Sequence, residues 1–185
     1  MHPHFLAIPL PEPIRSRLAS FCYGLPQVHW VHEENFHLSL RSFGPLSDSV
    51  LSGIQERLKH IFFSPFSLVL QGAGHFHSKG NRGSIWIDVA ENPELSTLKK
   101  EIDQNFRDLI LPSEGHRFHP HITLGYYEHL NPQKLGDYLA ALADYQSDTI
   151  EVNSYLLMRA QQTPNRVIYQ TIEHYSASLP ATGED

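Results

Sequence analysis

Two short stretches of the chain carry matching text: His37-Leu38-Ser39-Leu40 and His121-Ile122-Thr123-Leu124. Each places an imidazole two residues before a hydroxyl. On a β-strand side chains alternate, so residues two apart share a face. His37 and Ser39 then point one way and Leu38 and Leu40 the other; His121 and Thr123 likewise oppose Ile122 and Leu124. Histidine titrates near pH ~6.5 and can act as base or acid at neutral pH. A hydroxyl can donate to a non-bridging phosphate oxygen. Two such pairs facing each other suit cleavage of a phosphodiester. One neutral imidazole takes a proton from attacking water, and one imidazolium protonates the departing ribose oxygen. The scheme requires no metal and no cofactor.

The bare triplet has little specificity. A third copy, His174-Tyr175-Ser176, lacks the paired apolar positions. The weight falls on matched flanks and on matched places in a repeat. Phe5–Leu10 reads as a strand, and Pro11–Phe21 as a helix with Ile14, Leu18 and Phe21 on one face. Phe36–Phe43 reads as a strand, and Leu46–Phe62 as a helix striped by Leu51, Ile54, Leu58 and Ile61. Phe66–Leu70 is a further strand. The same order then recurs. Ser84–Val89 reads as a strand, followed by a helix opened by Asn92-Pro93 and striped by Leu95, Leu98, Ile102, Phe106 and Leu109. Next come strand His121–Tyr127, a helix opened by Asn131-Pro132 with Leu135, Leu139 and Leu142, and strand Ile150–Met158. Val167–Tyr175 is the last strand.

A strand–helix–strand–helix–strand unit thus occurs twice, over about 4–76 and about 84–160. The pattern predicts an α+β fold, with antiparallel sheets and outer helices in two lobes related by a pseudo-two-fold. Residues 1–179 are expected to form one bilobal domain and 180–185 a polar tail.

Composition narrows the function. The chain has 185 residues, 41% hydrophobic and 18% charged, which suits a folded core rather than disorder. Its formal net charge of −6 argues against binding long duplex nucleic acid. A small anionic substrate or an RNA end needs only a local site. Cys22 is the single cysteine, so no internal disulfide can form, and a reducing compartment is expected. It reads as a small buried hydrophobe. The Phe5–Leu10 run is short and meets Pro11-Glu12-Pro13, so it is not read as a signal peptide. No run approaches the ~18–20 apolar residues of a membrane span. A cytoplasmic monomer is the expectation.

At this point the chain resembles the two-histidine (2H) phosphoesterases, and within them the RNA 2′,3′-cyclic phosphodiesterases of the 2′-5′ RNA ligase family. The resemblance covers roughly Phe5 to Ser176. It rests on the opening strand and Pro-Glu helix, on Phe36-His37-Leu38-Ser39-Leu40-Arg41 followed by Gly44, and on Phe118 to Leu124. It implies a bilobal α+β fold around a central cleft. It also implies hydrolysis of a 2′,3′-cyclic phosphate on RNA or a nucleotide to a 2′-phosphomonoester. His37 would be proton donor and His121 acceptor, with reversible 2′-5′ ligation as a side activity. The chain departs from the family at several positions. Ser39 stands where Thr is commoner. Tyr126 stands where His-x-Thr-Leu-x-Arg has its basic residue, and His119 precedes Pro120 where Arg is frequent.

Other groups must then meet the phosphate and the RNA. Arg41 lies four residues after His37 and on a regular strand shares its face. Arg117 lies just before the second motif. Lys79 and Arg82 sit in a Gly-rich segment, His75 to Gly83, that reads as a mobile basic loop. Phe76, Trp86, Tyr126 and Tyr127 are candidates to stack a base. The run His116-x-x-His119-x-His121 invites a metal site. Pro120 interrupts that run, Arg117 places a charge inside it, and neither Cys nor a closely spaced acid completes it. The remaining histidines, His4 and His29 among them, read as surface residues. Two alternatives stand beside the cyclic phosphodiesterase. One is the same chemistry on a 2′-5′ oligonucleotide or a cyclic ADP-ribose phosphate. The other is a non-catalytic module that binds RNA ends or nucleotides.

Overall fold

The structure, a computed structural model, describes residues 3–109 and 118–178. In chain order these form β1 (Pro3–Pro9), α1 (Glu12–Ala19), β2 (Val28–Trp30), a 3₁₀ turn (Glu33–Asn35), β3 (His37–Pro45), α2 (Asp48–Leu58), β4 (Phe66–Leu68) and β5 (Leu70–Ser78). Then follow β6 (Arg82–Val89), α3 (Pro93–Asn105), β7 (His121–Glu128), α4 (Pro132–Ala141), β8 (Ile150–Val152), β9 (Ser154–Gln162) and β10 (Val167–Ser176). Among these residues no helix is long and apolar enough to cross a membrane.

Two antiparallel four-stranded sheets carry the fold, ordered β10-β9-β1-β3 and β2-β7-β6-β5, with β4 and β8 paired separately. The order β1-α1-β3-α2-β4-β5 is repeated by β6-α3-β7-α4-β8-β9, as the repeat in the sequence suggests. The last strand of each repeat crosses over. β5 pairs with β6, and β9 pairs with β1. Each sheet therefore draws on both halves of the sequence.

The segment expected as a mobile loop is instead most of a hairpin. β5 runs to Ser78 and β6 begins at Arg82. Gly80 and Asn81, with φ of 79° and 54°, supply the left-handed residues that a tight hairpin turn needs. Alternation over His75–Ser78 is masked in the sequence by its two histidines and by the flanking Gly74 and Gly80, which is why it reads as loop. The single strand expected over Ile150–Met158 is likewise split at Asn153 into β8 and β9.

The helices begin where the sequence marks them. The Asn92 side chain accepts from Leu95 N at 2.7 Å, and Asn131 accepts from Gln133 N at 2.8 Å, with Pro93 and Pro132 in the first turns. Leu95, Leu98 and Ile102 of α3 are buried, as are Ile54 and Leu58 of α2 and Ile14 and Leu18 of α1. They pack against Leu6, Ile8, Leu38, Leu40, Ile87, Ile122 and Leu124, within one continuous core. Each such side chain contributes about 1.5–3 kcal/mol by leaving water. This packing fixes one face of β1, β3, β6 and β7 toward the helices and leaves the other face for the cleft.

Two smaller expectations are settled by the same geometry. His4 is buried rather than exposed, because alternation on β1 puts it on the core face with Leu6 and Ile8. Cys22 follows α1 and packs partly buried against the core; burial pushes its thiol up to about 12.

Candidate active site

β3 and β7 are equivalent strands of the repeat, and both contain a β-bulge at the same place. In β3 the pairs Ala7–Ser39 and Leu6–Arg41 leave Leu40 as the extra residue. In β7 the pairs Trp86–Thr123 and Ile85–Gly125 leave Leu124 as the extra residue. A bulge shifts the alternation by one position. The histidine and the hydroxyl before the bulge face the cleft, and so does the fifth residue after each histidine. Those residues are Ser42 and Tyr126.

The cleft has a volume of about 270 Å³ and is lined by His37, Ser39, Ser42, His121, Thr123 and Tyr126, with Asn35, Phe5 and Tyr169 at its sides. The two imidazoles are held alike. Nδ1 of His37 donates to the Asn35 carbonyl at 2.6 Å, and Nδ1 of His121 donates to the His119 carbonyl at 2.7 Å. In each case the acceptor is the carbonyl two residues back. This fixes the proton on Nδ1 in the neutral ring and leaves Nε2 for chemistry. Nε2 of His37 lies 3.0 Å from Ser39 Oγ.

Both rings are enclosed by aromatic side chains. Phe5 stands 5.0 Å from His37, and Tyr169 meets that ring edge-on at 5.2 Å. Phe76 meets His121 edge-on at 5.0 Å, and Trp86 lies 5.8 Å away. Trp86 can lie there because residue 74 is glycine; a Cβ on Gly74 would stand 2.2 Å from the indole.

Burial holds His37 below its ordinary value; the Asn35 hydrogen bond opposes this, and the nearby His121 adds to it. Burial also lowers His121, against the His119 carbonyl bond, and His119 lowers it further. The Asp88 carboxylate works the other way on His121. Asp88 is the cross-strand partner of His121 and also meets His119 Nε2 at 3.2 Å. His37 has no comparable acid beside it among the causes that move it.

The basic candidates are placed elsewhere. The bulge turns Arg41 to the core face, where it is 7% exposed. Its guanidinium pairs with Asp103 at 2.9 Å and donates to the carbonyls of Phe106 at 3.2 Å and Leu109 at 3.4 Å, just beyond α3. Arg41 therefore anchors α3 and does not share the His37 face. Gly125 occupies the matching place in β7, against Val28 and Trp30 of β2. Lys79 sits in the hairpin turn, and Arg82 pairs with Glu128 at 3.0 Å; neither lines the cleft. The His119 ring lies on Trp86 at 4.7 Å, outside the cleft lining, and its carbonyl is what orients His121. Arg117 and His116 lie outside the described residues. Among the described residues that line the cleft there is no Arg or Lys. Nor, among the described residues, is any group of three or more His, Cys, Asp or Glu placed to hold a metal ion.

Of the stacking candidates, Tyr127 is buried in a second apolar cluster and Trp86 is buried beside His121. Phe76 and Tyr126 are exposed. The sequence did not single out Ser42, Asn35, Phe5 or Tyr169. Comparing the fifth residue after each histidine would have found Ser42. Tyr169 carries no local signal, because only the β10-β9-β1 pairing brings it to the cleft.

A sequence profile described as the 2′-5′ RNA ligase superfamily matches residues 11–161, both histidine strands included. The chain belongs to this superfamily. Two archaeal relatives agree with that placement. The RNA 2′,3′-cyclic phosphodiesterase of Aeropyrum pernix is 31% identical over 84% of this chain and 89% of its own. That of Archaeoglobus fulgidus is 27% identical over 91% of this chain and 96% of its own. Among solved structures, Escherichia coli LigT complexed with 3′-AMP superposes with a TM-score of 0.79 at 19% identity, over 96% of this chain and 99% of that one. That similarity establishes the shared α+β fold of this superfamily member.

Proposed function

We propose that this superfamily member is an RNA 2′,3′-cyclic phosphodiesterase that hydrolyses the cyclic phosphate of an RNA end or nucleotide to a 2′-phosphomonoester. The observation that carries this is the pair of imidazoles on equivalent strands, each with Nδ1 tied to a carbonyl and each accompanied by a hydroxyl in one cleft. It is also the activity for which the archaeal relatives are named.

His121 is the proton acceptor. Its Nε2 takes a proton from the water that attacks phosphorus, and Asp88 stabilises the imidazolium that forms. His37 is the proton donor. Its Nε2 proton goes to the departing ribose 3′ oxygen as the phosphorus–oxygen bond breaks, leaving the phosphate on the 2′ oxygen. Ser39 and Thr123 donate hydrogen bonds to the non-bridging oxygens. Ser42 and Tyr126 line the same cleft. Burial keeps His37 neutral in the free cleft, and the phosphate anion draws a proton onto it when substrate binds. No step needs a metal, and with the 5′ hydroxyl of a second RNA in place of water the same scheme breaks the phosphorus–3′ oxygen bond and leaves a 2′-5′ linkage, a step that can run in either direction. The chain works as one bilobal domain, and its lone cysteine fits a reducing compartment such as the cytoplasm.

The test is turnover of 2′,3′-cyclic AMP and of a short RNA with a 2′,3′-cyclic end, in excess EDTA, with phosphorus NMR of the product. Chelator-resistant formation of a 2′-phosphate, lost in folded His37→Ala and His121→Ala, is expected. A 3′-phosphate product, or full activity in either variant, overturns the proposal.

A further inference from the structure

A second concavity of about 410 Å³ opens beside the cleft on the sheet β2-β7-β6-β5 and shares one wall with it, Tyr126. Its floor follows from the strand register. Tyr126 is paired with His29 on one side and Ser84 on the other, and Ser84 is paired with Phe76. Paired residues in antiparallel strands point to the same face. The row His29–Tyr126–Ser84–Phe76 therefore crosses the cleft face of the sheet, with a small polar residue between two aromatic rings. Phe76 and Tyr126 are 41% and 56% exposed, large fractions for rings on a sheet surface. They stand two strand spacings apart, roughly 9–10 Å at the backbone, a gap that a flat ring can enter. His29 flanks Tyr126 as an exposed imidazole.

The other sheet is filled at the matching place. There the residue paired with Ser42, the counterpart of Tyr126, is Phe5, which fills the position that Ser84 leaves open. The two-fold repeat is broken at this position, and the smaller residue leaves space next to the site.

We infer that the base of the penultimate nucleotide of an RNA end lies between Phe76 and Tyr126 over Ser84, so that the protein takes oligonucleotide ends in preference to mononucleotides. This rests on the cyclic phosphodiesterase reading of the adjacent cleft. The terminal ribose and its cyclic phosphate occupy that cleft, and the chain leaves it past Tyr126 in the 5′ direction. Base–aromatic stacking is tolerant of sequence, so the slot selects for length rather than base identity.

The experiment has two arms. The first compares kcat/KM for 2′,3′-cyclic AMP, for a dinucleotide with a 2′,3′-cyclic end, and for the same dinucleotide lacking its penultimate base. The intact dinucleotide is expected to exceed the other two by about tenfold to a hundredfold, the scale of one stacked base. Ser84→Leu, which fills the slot, is expected to abolish the advantage, whereas Tyr126→Phe keeps it. The second arm titrates the protein with a dinucleotide 2′-phosphate carrying 2-aminopurine at the penultimate position. Fluorescence quenching on binding is expected in wild type and not in Ser84→Leu. Equal kcat/KM for all three substrates, or turnover without quenching, overturns the slot and leaves the cyclic phosphodiesterase intact. Quenching that Ser84→Leu abolishes, with no turnover of any substrate, supports the slot and overturns the catalytic reading instead.

Discussion

Replacing Arg41 by methionine separates a structural arginine from a phosphate-binding one. On a regular strand Arg41 would face the cleft, and its loss would cost turnover. In the structure it is buried and holds the segment that ends α3. Among the described residues its guanidinium donates to the Phe106 and Leu109 carbonyls and to Asp103. Asp103 is 41% exposed and keeps Lys99 as a second partner, so that ion pair contributes little, about 0–1 kcal/mol. The carbonyl bonds come from a charged donor in a buried place and contribute about 1.5 kcal/mol each at the low end of their range. The expected loss is about 3 kcal/mol, which for a chain of this size lowers Tm by roughly 6–12 °C. Thermal and urea unfolding would measure it, alongside kcat/KM on 2′,3′-cyclic AMP well below the new Tm. Turnover should stay within about threefold of wild type. Arg41→Lys should recover part of the stability only, because an ammonium cannot reproduce the planar fork. A hundredfold fall in kcat/KM with Tm unchanged would refute the bulge argument and return Arg41 to the cleft.

Three other outcomes are expected. The pH–rate profile on a 2′,3′-cyclic substrate should be bell-shaped, since one imidazole must be neutral and the other charged, and His37→Ala or His121→Ala should each lower kcat by about 10²–10⁴-fold with unfolding midpoints preserved. Stability should fall on acidification: both histidines lie below their ordinary value of 6.5 when folded, so as pH drops through that value the unfolded chain takes up protons that the folded one does not, and urea midpoints between pH 7.5 and 5 should decline, less steeply when inorganic phosphate occupies the cleft. Gly74→Ala should cost about 1–3 kcal/mol and lower turnover, because the new Cβ meets the Trp86 indole at 2.2 Å and must displace the ring that packs beside His121; an unchanged unfolding midpoint would contradict that packing.

Much of this protein is set by local sequence. The caps at Asn92-Pro93 and Asn131-Pro132, the apolar stripes of α2 and α3 and the alternation of His37-Leu38-Ser39-Leu40 and His121-Ile122-Thr123-Leu124 each need only near neighbours. A period of 2 or 3.6 residues and a capping side chain act within one element. The histidine and hydroxyl pairs were legible for that reason, and their recurrence in a repeat marked them as partners. What tertiary structure decided depends on pairing between distant strands. The bulges at Leu40 and Leu124 exist only relative to β1 and β6, and they turn Arg41 inward and bring Ser42 and Tyr126 into the cleft. The exchange of β5 and β9 between sheets turned a Gly-rich segment into a strand and set Phe76 beside His121. Tyr169 reached His37 only through the three successive pairings of β10 with β9, β9 with β1 and β1 with β3. Alternation sets which residues share a face only up to the first irregularity; beyond it, the partner strand sets the face.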